Sequence, residues 1–239
     1  MNSVKYYAQF DEDKVLHDIF KKKIGTCVEV GGFDGVTGSN TYFFENLGWR
    51  CLIVEPMPDF CQKIKQVRKC EVAEIAASDK SGEVEFYVAT GVETLSTIEK
   101  DDKHFQRISR HSNEGVRKIK VNTARLDDIL IERGFTDIDF LTIDVEGHEM
   151  SVLSGMTFKI IKPRIVIIED NSSGVDAQVK EFMESVDYRR FKRTGCNDWY
   201  AKKDDELSVA SQLMLAQVHV TFVRVWHKLK SIIKYLINR

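Results

Sequence analysis

The sequence predicts a doubly wound α/β fold, with a mainly parallel sheet ending in an antiparallel hairpin and a C-terminal amphipathic helix appended. Three observations carry that expectation. Short apolar runs alternate with helical patterns, as βαβ units require and a β-sandwich does not. A glycine-rich loop, Gly31-Gly32-Phe33-Asp34-Gly35, follows the first apolar run directly. Near the end of the periodic region two strand-like segments flank Gly195-Cys196-Asn197, as a hairpin would.

Residues 26–30 read as a first strand and 51–55 as a second. Helices follow each, over 40–47 and 58–68, the latter with Phe60, Ile64 and Val67 near helical spacing. Residues 72–76 are a third strand, and 83–88 alternate as an extra one. A short helix is expected over 125–133, a fourth strand over 140–143, and another helix opening at 149–153. Pro163 precedes 164–169, a run apolar enough to lie in mid-sheet. A helix over 174–186 leads to the hairpin of 188–194 and 198–202. Between Thr90 and Gly115 the periodicity gives way to a polar stretch with His104 and His111, a length that suits a functional lid.

Composition narrows the functional class. At 239 residues the chain holds one sizeable α/β core plus an appendage, so residues 1–205 are expected to form the catalytic-type domain and 206–239 a basic helix. A hydrophobic share of 43% with 30% charged residues excludes global disorder. The net charge of −2 is uneven: from Ser208 onward there is no acid, and Arg224, Lys228, Lys230, Lys234 and Arg239 give +5, leaving −7 for the rest. An acidic body of that kind is not a general nucleic-acid binder. Five cysteines without a CxxC pair suit neither a disulfide framework nor zinc, and point to a reducing cytoplasm. The polar, acidic N-terminus is no signal peptide, and no run approaches the ~18–20 apolar residues of a membrane span.

A strand, a glycine loop and a helix form the geometry that cradles nucleotide-like ligands at a strand's carboxyl end. A dinucleotide fold asks for GxGxxG, with pyrophosphate on the helix N-terminus. Here the spacing is GGxxG, and Glu29 stands two residues before it. A carboxylate at the loop entry repels pyrophosphate and attracts an ammonium, which suits S-adenosylmethionine. Glu55, closing the second strand before Pro56, is placed to accept from ribose hydroxyls. Taken alone, the loop is equally a tight turn and Glu55 a strand-end charge; the pair on successive strands favours the ligand.

Several blocks together resemble the FkbM family of methyltransferases over roughly residues 6–170: YAQFDEDK, VEVGGFDGVTGSNTYFFENLGW, LIVEPMP, RLDDIL and FLTIDVEGHEMSVLSG. The resemblance implies the Rossmann-like fold of class I methyltransferases. It implies that Glu29, Gly31, Gly32 and Gly35, with Phe33 and Asp34 in the same loop, line the methionine part of S-adenosylmethionine, and that Glu55 and Pro56 meet the ribose. Ser39 and Asn40 would open the next helix, and Ala77 and Ser78 would neighbour the adenine. Two positions depart from the common pattern: Gly32, where many relatives have Ala, and Asp11, where many have Gly.

The IDVEGHE segment supplies the expected catalytic groups. Asp144 ends the fourth strand and contacts cofactor or acceptor, His148 is a candidate base or an inert turn residue, and Asp144 or Glu146 could orient that base or accept the proton directly, Glu146 being equally a charge at a helix N-terminus. Asp144, Glu169 and Asp170 fall at the ends of adjacent strands, where oxygen ligands can hold Mg2+. Strand-end carboxylates are common without metal, so no metal is expected and Mg2+ is the less favoured alternative. In the tail, Leu215, Val218, Phe222, Val225, Trp226, Leu229, Ile232, Ile233 and Leu236 recur at helical steps. Such a helix over 211–239 suits peripheral contact with the inner face of a membrane, pairing of subunits, or docking on its own domain.

The leading expectation is therefore an O-methyltransferase using S-adenosylmethionine on a small-molecule or glycan hydroxyl, such as a sugar of a glycolipid. A nucleotide-dependent sugar oxidoreductase or epimerase, and a non-catalytic scaffold that recruits partners through its basic tail, are the alternatives.

Overall fold

The computed structural model describes residues 4–21, 23–89, 98, 116–172, 175 and 177–211. Among the described residues ten strands form two sheets, the larger with the order β3-β2-β1-β7-β8-β10-β9. β1 (Thr26–Val30), β2 (Arg50–Val54), β3 (Glu71–Ala73), β7 (Phe140–Ile143) and β8 (Ile165–Glu169) run parallel. β10 (Asn197–Lys202) is antiparallel to β8, and β9 (Tyr188–Thr194) antiparallel to β10. This is the expected doubly wound sheet with its terminal hairpin.

Strand alternation sorts the core onto two faces. Val28, Val30, Leu52, Val54, Leu141, Ile143, Val166 and Ile168 pack with α4 (Leu126–Glu132), α5 (Glu149–Ser154) and α6 (Gln178–Ser185). Cys27, Cys51, Phe140, Ile165, Ile167 and Trp199 face α1 (Glu12–Phe20) and α2 (Tyr42–Asn46) through Leu16, Phe20, Phe43 and Phe44. Helices therefore cover both faces, which is why these strands read as continuous apolar runs.

Three differences from the sequence expectation matter for the site. The run at 72–76 is not one strand: β3 ends at Ala73, and β4 (Ala76–Ser78) joins a separate three-stranded sheet, ordered β4-β6-β5. In that sheet β5 (Gly82–Ala89) pairs antiparallel with β6 (Val116–Arg125), a strand the sequence reading missed, and β4 pairs parallel with β6. Phe60 of α3 (Pro58–Val67) and Met57 just before it bury Phe86, Val88 and Val121 of this sheet.

The third difference is α1, an unanticipated helix in the acidic N-terminal segment. Its Leu16 and Phe20 are buried, and its Glu12 carboxylate accepts from Thr194 Oγ1 (2.6 Å) and Asn197 Nδ2 (2.9 Å). Asp11 precedes it with φ 62°, left-handed backbone that glycine adopts freely and Asp tolerates.

Residues 206–211 are helical and anchored, with Ser208 Oγ donating to the Ala201 carbonyl (3.2 Å) and Arg164 paired to Asp205 (2.8 Å). The amphipathic pattern beyond Ser211 lies outside the described residues, as does 90–115 except Ile98. No described helix is long and apolar enough to cross a membrane.

Candidate active site

Sheet order reverses between β1 and β7, so the loops leaving these two strands diverge and open a crevice at their carboxyl ends. The Gly31 amide donates to the Val54 carbonyl (2.9 Å) and the Asp144 amide to that of Val30 (3.0 Å), which sets the three strand ends side by side. Gly31 has φ +90°, and a Cβ there would lie 1.8 Å from the Asp144 carbonyl oxygen. A Cβ on Gly32 would lie 2.2 Å from Ile53 Cγ2. Both glycines are thus required by the approach of neighbouring strands. The cavity they border measures about 620 Å3, within the usual range for small-molecule sites.

Glu29 shares its sheet face with Cys27, which turns it toward α2. Its carboxylate accepts from Ser39 Oγ (2.8 Å), the Asn40 amide (2.8 Å) and Thr41 Oγ1 (2.6 Å). Ser39 Oγ in turn accepts from the amides of Thr41 (3.3 Å) and Tyr42 (3.1 Å) at the mouth of α2. Arg68 locks this loop from behind, donating to Gly35 O (2.6 Å), Ser39 Oγ (3.2 Å), Thr41 Oγ1 (3.0 Å) and Glu45 Oε2 (2.6 Å). Asn40 Oδ1 is left buried with no hydrogen-bond partner among the described residues.

At the end of β2, Glu55 is 5% exposed. Its Oε2 accepts from the amides of Gly32 and Phe33 (3.1 Å each) and its Oε1 from Met57 (2.9 Å). A carboxylate offers about four lone-pair positions, so one remains, on Oε1. Burial pushes its pKa up to about 7, and the three amides only partly offset that.

Across the cavity, Asp144 and Glu169 lie one step beyond the paired residues Ile143 and Ile168, on neighbouring strands and the same face. Glu146 follows in a turn with φ 52°, next to Gly147 at φ 101°. Oxygens of Asp144, Glu146 and Glu169 lie within 4.8 Å of one another. Asp144 opens onto the cavity, yet crowding by protein and the charges of Glu169 and Glu146 hold its carboxyl well above the ordinary range. Glu149, buried under the turn, accepts from the amides of Val145 (3.2 Å) and Gly147 (3.1 Å), and burial raises it to about 7.

Of the residues expected at the site, Glu29, Gly31, Gly32, Phe33, Ser39, Asn40, Glu55, Pro56, Ala77, Asp144, Glu146 and His148 line the cavity. Asp34, Gly35 and Ser78 do not. Asp34 accepts from the amides of Val36 (2.8 Å) and Thr37 (2.7 Å), bracing the turn. Gly35 backs onto Ile64 and Arg68, and Ser78 points to His148, with Oγ and Nε2 3.1 Å apart. His148 is buried, so its ring joins β4 to the turn after β7. Asp170, expected beside Asp144, instead pairs with Arg193 (3.0 Å).

Gln9, on the segment that bridges Ala8 to Gly38, lines the cavity unforeseen. Arg68 was also missed. A basic residue at a helix end gives no hint in sequence of the loop it will hold.

A profile of the methyltransferase FkbM domain matches residues 29–190, more than half of the chain. The 2-O-methyltransferase NoeI of Sinorhizobium fredii is 29% identical over 102 residues, which cover 40% of this chain and 41% of that protein. The match thus spans less than half of that relative's length. Among solved structures, a TehB-like SAM-dependent methyltransferase from Corynebacterium glutamicum covers 82% of this chain and 89% of its own, with TM-score 0.42 and 11% identity. A SAM-dependent methyltransferase from Aquifex aeolicus covers 80% and 89%, with TM-score 0.40 and 15% identity.

Proposed function

The chain belongs to the FkbM methyltransferase family, and we propose that it transfers a methyl group from S-adenosylmethionine to a hydroxyl of a sugar, in a glycan or glycolipid. The observation that carries this reading is the charge of the cavity. Glu29, Glu55, Asp144, Glu146 and Glu169 line it, and no Lys or Arg does among the described residues. Such a lining disfavours the pyrophosphate of a dinucleotide and favours a ligand with cationic groups.

The residues present fit S-adenosylmethionine. Asn40 Oδ1 is a buried acceptor without a donor among the described residues, and beside it Glu29 supplies negative charge, a pairing suited to an ammonium group. Glu55 retains one acceptor position for a ribose hydroxyl. Ile75, Ala76 and Ala77 line the stretch of wall after β3, an apolar surface suited to a flat base. The bound cofactor supplies an electrophilic methyl group on a sulfonium.

The protein's share of the chemistry is alignment, exclusion of water and management of the acceptor's proton. Arg68 and Glu29 fix the loop that sets the depth of the amino-acid end. The carboxylates of β7, its following turn and β8 face the acceptor's side, where one of them, when ionised, accepts the hydroxyl proton as the oxygen attacks the methyl group. His148, engaged with Ser78, is assigned to the cavity wall and positions the turn that carries Asp144.

Oxygen as the methylated atom is supported by the name of the Sinorhizobium relative, a 2-O-methyltransferase. The test is incubation of the full chain with methyl-labelled S-adenosylmethionine and a panel of glycans, glycolipids and RNA. Label recovered as an alkali-stable methyl ether on a sugar is expected. Label on RNA alone would overturn the sugar acceptor, and label on no hydroxyl compound would overturn O-methylation.

A further inference from the structure

We propose that Asp144, Glu146 and Glu169 hold a divalent cation of the Mg2+ or Mn2+ kind at the acceptor end of the cavity. Each offers a carboxylate oxygen, and the three oxygens lie within 4.8 Å of one another, a span that one ion can bridge.

A cluster of acids is common without metal, so the weight falls on Glu169. Its side chain is 8% exposed, its Oε2 is buried, and that oxygen has no hydrogen-bond donor among the described residues. Its other oxygen, Oε1, meets Cys196 Sγ at 3.7 Å, and its carboxyl lies against that of Asp144, so two carboxyls are crowded together there. Burying a carboxylate oxygen without a donor or cation is costly. The guanidinium closest in sequence space along β9, Arg193, is spent on Asp170 (3.0 Å) and Asp198 (3.1 Å), and so does not neutralise the cluster. Asn171, two residues after Glu169, lines the same cavity.

Carboxylate oxygens are hard donors, which select Mg2+ or Mn2+ over softer ions. The three protein ligands come from the ends of β7 and β8, and Glu146 takes the place that sequence position alone gave to Asp170. An octahedral ion so held keeps positions for water and for acceptor oxygens, which orients a hydroxyl and eases its ionisation. The role in methyl transfer rests on the function proposed above, whereas the site itself does not.

The test is Mn2+ binding to the full chain, followed by loss of the free-ion electron paramagnetic resonance signal, without S-adenosylmethionine or acceptor. A single Mn2+ per chain, displaced by Mg2+, is expected. Asp144→Asn and Glu169→Gln should each weaken it by about tenfold or more, because ligand charge sets affinity. Asp170→Asn should leave it unchanged. Glu146→Gln, in the half-buried turn after β7, serves as the variant that folds if a buried change does not, with thermal melting as the check on each. No Mn2+ bound at millimolar concentration, or wild-type affinity in folded Glu146→Gln and Glu169→Gln, would overturn the site. Separate titration with S-adenosylmethionine in chelator keeps the two proposals apart: cofactor binding without Mn2+ binding rejects only the metal site.

Discussion

Lowering the pH from 8 to 6 should weaken binding of the cofactor's ribose by about tenfold through Glu55. Burial raises this carboxyl to about 7, and backbone amides occupy three of its acceptor positions. The remaining position on Oε1 serves a ribose hydroxyl only when the group is ionised, since a proton there would compete for the same lone pair. The apparent dissociation constant then scales as 1 + 10^(pKa − pH), roughly 11 at pH 6 against roughly 1.1 at pH 8. The assay is calorimetry at several pH values with 5′-methylthioadenosine, which keeps ribose and base but lacks the titrating amino group of the full cofactor. The same group acts oppositely on stability. Its native pKa lies above the unfolded value of 4.5, so between about 4.5 and about 7 the native state holds a proton that the unfolded state has lost. Stability of the ligand-free protein is therefore greatest below 4.5 from this group and falls as pH rises to 7, by an order of about 3 kcal/mol; Glu149, also raised to about 7, adds in the same direction. A ribose affinity constant within twofold from pH 6 to 8 would refute the reasoning.

Three substitutions test the scaffold around that site. Gly31→Ala places a Cβ 1.8 Å from the Asp144 carbonyl at φ +90°, and should cost about 2–4 kcal/mol in urea unfolding. Arg68→Met removes four hydrogen bonds and the buried cation paired with Glu45, so a loss of about 3 kcal/mol and weaker cofactor binding are expected. Asp34→Ala removes the acceptor for Val36 and Thr37 outside the cavity; it should lower the melting temperature while cofactor affinity, by calorimetry, stays within about threefold.

Much of the sheet was legible because buried parallel strands leave uninterrupted apolar runs: residues 26–30 and 140–143 match β1 and β7 residue for residue. Strand ends also pointed to Asp144 and Glu169, and in the fold Glu29, Asp144 and Glu169 share one face with Cys27, Phe140 and Ile167. What strand position cannot show is competition for a side chain. Asp34 looked like a ligand group because it sits in the glycine loop, yet its nearest amides are those of its own turn. Glu29 was expected to meet an ammonium, and three of its four acceptor positions hold Ser39, Asn40 and Thr41. β6 carries alternating Ile119, Val121 and Thr123, but it borders the aperiodic stretch and its partner β5 lies across that gap. α1 was hidden by its acids: Glu12 and Asp13 are buried because hydrogen-bond donors from distant or adjacent backbone and side chains converge on them.

The most direct test of the account is calorimetric titration of the full chain with S-adenosylmethionine and, separately, with NAD. A cavity lined by five carboxylates and no described Lys or Arg predicts one S-adenosylmethionine bound per chain and no heat from NAD. Binding of NAD with none of S-adenosylmethionine would contradict it.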